Sequence, residues 1–317
     1  MQYQPEAERG GTLPVLVRAS EPGVPLPSTA EERTRIEAQL LTSGAVLLRG
    51  FAVTSRIHFS AFAESFGRPL VSYEFGSTPR TALGAGVYTS TEYPAHRSIP
   101  LHNEQSYTRN WPMKLWFHCA HAALSGGATP IADSRRIYAR IPARIRERFA
   151  QQELLYVRNF GAGLDVDWWR VFGTEDRSEV EQICARRGIV CEWQDDGQLR
   201  TLEKVQAVAE HPRTRESVWF NQAHLFHISA LPREEREALL EICGPERLPR
   251  NVYFGDGSPI EDEILDEIRA VLDAEQVTFP WQTGDVLMLD NMLVAHAREP
   301  YSGPRKVLVA MAEPHGA

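Results

Sequence analysis

Leu101-His102-Asn103-Glu104-Gln105 decides how the rest of this chain is read. In an extended segment, residues two apart point to one face, so His102 and Glu104 would project together as an imidazole and a carboxylate. A second imidazole arriving from elsewhere would complete a two-His-one-carboxylate facial triad, the arrangement that suits Fe(II) and leaves adjacent positions open for ligands. The pair alone is weak evidence. With ten histidines and acids at roughly one position in eight, about one His-x-Asp/Glu arises by chance, and a surface His beside a solvated Glu reads the same.

The C-terminal block supplies the missing parts. Trp281-Gln282-Thr283-Gly284-Asp285 turns into the apolar run Val286-Leu287-Met288-Leu289-Asp290, and after Asn291 a second strand ends at His296. Past a turn at Pro300 to Gly303, a third strand starts at Arg305. An imidazole and a guanidinium thus stand at neighbouring strand ends, where an Arg offers a dicarboxylate a bidentate anchor.

Composition narrows the function classes. With 317 residues and 43% hydrophobic content, the chain can bury a sizeable core as one elaborated domain or two small ones, and a single domain spanning 1–317 is the expectation. A net charge of -8 and the lack of a basic run interleaved with aromatics argue against nucleic acid as a partner. No window approaches eighteen continuous apolar residues, and Met1 to Arg9 lacks the apolar core of a signal peptide; no membrane partner and a cytoplasmic location are expected. Cys119, Cys184, Cys191 and Cys243 form no C-x-x-C pair and read as free thiols.

Along the chain, residues 1–27 carry many Pro and Gly and read as an irregular arm. Ser28 with Glu31 makes a capping box for a helix to about Leu41, Ala45 to Phe51 reads as a buried strand, and Ser55 to Phe66 as a helix stopped by Gly67. From Arg68 to Pro100 the pattern suits loops over an active-site mouth. Glu74, Arg80, Arg97 and Ser98 there read first as solvated loop groups. Met113 to His121 is strand-like, which sends His118 and His121 to opposite faces and argues against a metal pair; His224 and His227, in a strand running into a loop, are read the same way. Ser125-Gly126-Gly127 is a tight turn, and Ser134 reads as the cap of a helical stretch to Arg140. Residues about 151–215 read as an insertion, followed by a helix from Pro232 to Ile242. Ser258-Pro259-Ile260-Glu261 then combines an N-cap, a Pro at the first helical position and a capping-box Glu.

His-x-Glu at His102 and Glu104, Gly-Gly-x-Thr at Gly126 to Thr129, the Gly-Asp…Asp-Asn…His block ending at His296, and Arg305-Lys306 follow one another in a specific order. By these markers the chain resembles, from about Gly44 to Pro314, the taurine dioxygenase-like (TauD/TfdA) family of Fe(II)/2-oxoglutarate-dependent oxygenases. The resemblance implies a mostly β fold with flanking helices around a double-stranded β-helix, a cupin-like jelly roll; periodicity alone gives only mixed α and β. It implies that His102, Glu104 and His296 bind Fe(II), and that Arg305, helped by the Thr129 hydroxyl, holds the distal carboxylate of 2-oxoglutarate, with Lys306 and Arg298 as near alternatives. O2 is the implied oxidant. A Glu at position 104, rather than the family's commoner Asp, resembles the clavaminate synthase-like branch, whose members oxidise amino acids. Trp219 to His224 and Gly126 to Asp133 look most like hydroxylases of peptide natural-product pathways, such as that of syringomycin. Related halogenases carry a small residue at the carboxylate position, so Glu104 implies hydroxylation.

The implied reaction is hydroxylation of an unactivated C–H bond in an amino-acid-type substrate, free or carried on a peptidyl carrier protein, in antibiotic-like biosynthesis. Desaturation, cyclisation or oxidation of a small taurine-like acid would use the same site. A zinc hydrolase or a non-enzymatic metal-binding jelly roll also accepts two His and one carboxylate, but neither needs Arg305 and Thr129.

Overall fold

The continuous apolar runs become the central strands of one large sheet because both of its faces are covered. The computed structural model describes residues 2–5, 13–21, 23–67, 69–71, 80–91, 93–161, 163–195 and 197–316. In it, eight strands lie in the order Gln2–Pro5, Val15–Arg18, Ala45–Arg49, Val286–Asp290, Asn110–His121, Lys306–Gly316, Val87–Thr89 and Ala82–Gly84. All neighbours are antiparallel except Val15–Arg18 and Ala45–Arg49. Leu47, Leu115, Phe117, Leu287, Leu289, Val307 and Val309 fill one face. On the other, Val46, Leu48, Trp116, Met288 and Leu308 pack under the helices Ala30–Ser43 and Arg56–Glu64 through Ile36, Leu40, Phe59 and Phe62. A strand buried on both sides has no polar alternation to show, which is why 286–289 reads as unbroken hydrophobics.

A three-stranded sheet, Ile99–His102, Val294–Arg298 and Ile131–Asp133, meets the first face through Ile131 and Val294. Its register sets His296 directly opposite His102, so strand pairing alone brings the two imidazoles together. A further sheet, Val190–Trp193, Leu199–Val205, Leu154–Phe160 and Arg250–Phe254 in that order, is built mainly from the 151–215 segment and completed by 250–254. The architecture is mixed α and β with substantial sheet content.

Several local expectations shift. The arm is not irregular throughout: Val15, Leu16 and Val17 are buried as a strand, because the edge of Ala45–Arg49 offers a partner that the short run does not announce. The first helix is capped by Thr29 and Glu32 rather than Ser28 and Glu31; Glu32 accepts from both the Ser28 and Thr29 amides, while Thr29 accepts from the Glu32 amide. Asp133, not Ser134, caps the helix Ser134–Arg140, its carboxylate accepting from the Arg135 and Arg136 amides. The helix after Ser258 begins only at Asp262, because Ser258 donates its amide and hydroxyl to Asp256. Glu74 lies outside the described residues. No described helix is long and apolar enough to cross a membrane.

The Gly-Asp turn has a structural task. Asp285 is 1% exposed and accepts from Arg49 Nε at 3.0 Å and Nη2 at 2.7 Å, tying the C-terminal block to Ala45–Arg49. Removing one partner of a buried pair strands the other charge, so Asp285→Ala is expected to lower stability by about 3–5 kcal/mol. A urea unfolding curve with a lower midpoint and an unchanged slope checks this; an unchanged midpoint contradicts it.

Candidate active site

The strand Ile99–His102 ends at its histidine, and Glu104 sits in the following turn, where Gln105 takes a left-handed φ of 57°. The alternation expected of an extended segment is thus replaced by a turn, with the same convergence. One ligand atom each from His102, Glu104 and His296 lie within 4.8 Å of one another. Burial, more than any neighbouring charge, lowers His102 and takes His296 well below the ordinary imidazole value, so both rings are neutral at pH 7. His102 donates Nδ1–H to the Pro100 carbonyl at 2.8 Å, which leaves its Nε2 lone pair as a ligand. His296 Nδ1 is buried without a hydrogen-bond partner among the described residues. Two neutral imidazoles, one of them with an orphaned ring nitrogen, and one carboxylate at ligand separation fit a divalent metal.

The turn keeps its shape through Asn291. Its Oδ1 accepts from the Glu104 amide at 2.7 Å, and its Nδ2 donates to the carbonyls of Glu104 at 2.9 Å and Pro112 at 2.8 Å. Asp290 holds Asn291 in place by accepting from the Met292 and Leu293 amides and from His211 Nε2–H. Around the turn, Asn103 donates to the Asn291 carbonyl, Gln222 to the Asn103 carbonyl and His224 to the Leu101 carbonyl. His224 therefore is no ligand, as its spacing indicated, but it stands on the short helix Ala223–Phe226 rather than in a strand-to-loop segment. Burial holds it near a pKa of about 4, so the neutral ring buttresses the ligand strand.

On one side of the cluster lies a narrow pocket bordered by His102, His296, Thr129, Arg305, Arg298 and Arg80. Arg305 Nε donates to the Gly127 carbonyl at 3.0 Å, leaving its terminal amines to the cavity. Gly127 has φ of 72°, and a Cβ there would come within 3.0 Å of Arg305, so the glycine is needed for the guanidinium to lie down beside it. Burial first, and then the nearby Arg298, lowers Arg305, as expected of a cation awaiting an anion. Thr129 Oγ1 accepts from Trp281 Nε1–H at 2.9 Å; because indole only donates, the hydroxyl proton remains for the cavity. The near alternatives are placed differently: Arg298 gives its terminal amines to the carbonyls of Tyr93, Pro94 and Arg97, and Lys306 is exposed.

A second, larger pocket takes in His102, Glu104, Arg80, Tyr107, Phe226 and Arg250. Arg80 borders both. Its Nη2 lies 2.6 Å from Glu104 Oε2, and the two side chains are 3% and 5% exposed. The expectation of a solvated loop charge therefore fails for Arg80, although it holds for Arg97, which pairs with Glu235 at the surface. Nothing local in the sequence marks Arg80, whose partner lies 24 residues away.

With this geometry in hand, comparison is decisive: the model of the taurine catabolism dioxygenase TauD, TfdA family matches residues 11–311. The chain belongs to this family. It is an Fe(II)/2-oxoglutarate-dependent oxygenase that uses O2, and the hydrolytic and non-enzymatic readings of the same ligands fall away. The chain is 43% identical over 279 residues to the dapdiamide synthesis protein DdaC of Enterobacter agglomerans, covering 88% of this chain and 85% of that one. It is 32% identical to a clavaminate synthase-like protein of Arabidopsis thaliana, over 95% and 94% of the two chains. The fold is similar to that of PvcB from Pseudomonas aeruginosa, with a TM-score of 0.56 at 16% identity over 98% and 90%.

Asn291→Ala removes the group that ties Glu104 to its neighbours without touching a ligand atom. It is expected to weaken Fe(II) affinity about 10–100-fold, the usual effect of losing a group that orients a ligand. A competitive chelator titration reads this; wild-type affinity in the variant contradicts it.

Proposed function

We propose that this chain, acting as a single oxygenase domain around a double-stranded β-helix, hydroxylates an unactivated C–H bond of an amino-acid-type substrate, free or carried on a peptidyl carrier protein, in natural-product biosynthesis. The observation that carries this reading is the meeting of two cavities at His102, Glu104 and His296. One is basic and suited to a dicarboxylate, the other larger and open to a polar substrate. The 43% identity to a protein of dapdiamide synthesis supports the natural-product setting.

His102, Glu104 and His296 hold the iron, which with 2-oxoglutarate and O2 provides the oxidation while 2-oxoglutarate leaves as succinate and carbon dioxide. Arg305 binds the distal carboxylate of 2-oxoglutarate, and the Thr129 proton, directed by the Trp281 indole, adds a second donor. Phe117, Val307 and Val309 give that cavity an apolar wall that excludes water and strengthens the carboxylate contact. Arg80 holds Glu104 Oε2, the oxygen that also lies 4.0 Å from His296 Nε2, and so fixes the carboxylate beside the imidazoles that would hold the metal. Glu104 also fills the place a halide would need, which favours hydroxylation. Because oxidation takes the nearest C–H bond, the walls of the larger cavity choose the product.

Glu104→Ala is expected to abolish turnover and, because it strands the buried Arg80 charge, to lower the unfolding midpoint while the protein still folds; full turnover at ordinary iron levels contradicts the assignment. Arg305→Ala removes a charge-assisted contact of about 1.5–3 kcal/mol and should raise the 2-oxoglutarate requirement roughly 10–100-fold with iron binding little changed. An unchanged requirement moves the anchor elsewhere. The reaction itself is read by mass spectrometry: succinate formed with gain of one oxygen by an amino-acid substrate supports hydroxylation, whereas loss of two hydrogens points to desaturation or cyclisation.

A further inference from the structure

Half of the Gln222 carboxamide is used by the ligand network, and half is not. Its Nε2–H donates to the Asn103 carbonyl at 2.8 Å, and because a carbonyl only accepts, the orientation of the carboxamide is settled. No described group donates to its Oε1. The residue is 4% exposed and borders the larger pocket together with Glu104, so the oxygen is the end of the side chain left to that pocket. An enclosed acceptor is costly to leave without a donor, which marks this one as a contact point for a ligand.

The side chain is in place before any ligand arrives. The Gln222 amide donates to the Tyr156 hydroxyl at 2.8 Å, and its carbonyl accepts from the Leu225 and Phe226 amides where the helix Ala223–Phe226 opens. Through Asn103 the carboxamide is tied to the neighbour of Glu104, so whatever bonds to its oxygen stands at a set place relative to the ligand cluster. The pocket there has about 160 Å³ of room, where a single water needs about 10–15 Å³, so it admits a small organic molecule. The other charged and ligating groups on its wall do not duplicate this acceptor: Arg80 and Arg250 only donate, and His102 and Glu104 belong to the metal.

We propose that Gln222 Oε1 accepts from an N–H on the α-nitrogen of the amino-acid-type substrate, ammonium or amide, and so decides which C–H bond faces the iron. This rests on the amino-acid reading above and adds the residue that reads the nitrogen, a donor that free, acylated and carrier-bound amino acids share. The test uses protein loaded anaerobically with Fe(II) and 2-oxoglutarate, whose visible charge-transfer band shifts when substrate binds. Each proteinogenic L-amino acid is added with its carboxyl free or as the N-acetylcysteamine thioester. Its nitrogen is presented as the ammonium, as the N-acetyl amide, or removed altogether. At least one compound bearing the N–H is expected to shift the band, and its counterpart lacking the nitrogen to bind at least about tenfold more weakly. Whether ammonium or amide binds tighter names the donor. In Gln222→Met, which keeps the size of the side chain and deletes the acceptor, the two should bind within about twofold of each other. A side chain that served only to hold the ligand turn would weaken both compounds alike and leave the tenfold difference standing. That result, or a wild-type protein that binds the two compounds equally, overturns the assignment and leaves the amino-acid reading intact. The wild-type comparison decides even where the variant fails to fold. A normal band that no compound of the panel shifts overturns the amino-acid reading, and the assignment with it.

Discussion

The Asn291 carboxamide is the constraint on which the cluster depends. A carboxylate in a turn has no strand to aim it, and Glu104 follows a strand that stops at His102. Reciprocal bonds between Asn291 and the Glu104 backbone replace the missing ladder and fix where the side chain begins. The imidazoles need no such device, since register places them opposite one another. The architecture therefore divides the work: sheet pairing aligns two imidazoles, and one buried amide aligns the carboxylate.

Charge is distributed to the same end. Neutral, desolvated imidazoles and one carboxylate leave the cluster able to take a dication, while Arg305 places positive charge in the adjoining cavity and Arg80 balances the carboxylate from the other side. Each cation is held by backbone or by an acid: Arg305 by the Gly127 carbonyl, Arg298 by the carbonyls of Tyr93, Pro94 and Arg97, Arg80 by Glu104 among the described residues. Fixed charge in a buried site costs little to reorganise when a ligand arrives.

What could be read from the sequence followed from how local each signal is. The central strands announced themselves as apolar runs, and His102, Glu104, Thr129, His296 and Arg305 stood out because motif order and turn chemistry are local; the structure brings these residues to one cavity system. Strand Val15–Arg18 was missed because its burial depends on an edge about 30 residues away in sequence. Helix starts slipped by one to three residues where neighbouring polar side chains offered rival hydrogen bonds, as Ser28 and Thr29 do at the first helix and Asp256 does for Ser258. Arg80, Gln222 and the buttressing role of His224 were invisible for a different reason: two of them serve backbone carbonyls, which carry no sequence identity, and the third meets its partner only through the fold.

The most direct measurement is the optical spectrum of the anaerobic Fe(II) protein before and after addition of 2-oxoglutarate. Chelation of iron by the cosubstrate at His102, Glu104 and His296 predicts a weak visible charge-transfer band in the wild type, absent when Glu104 is replaced by Ala. A wild-type protein that takes up iron but develops no band, or a Glu104→Ala protein with an undiminished one, would contradict the account.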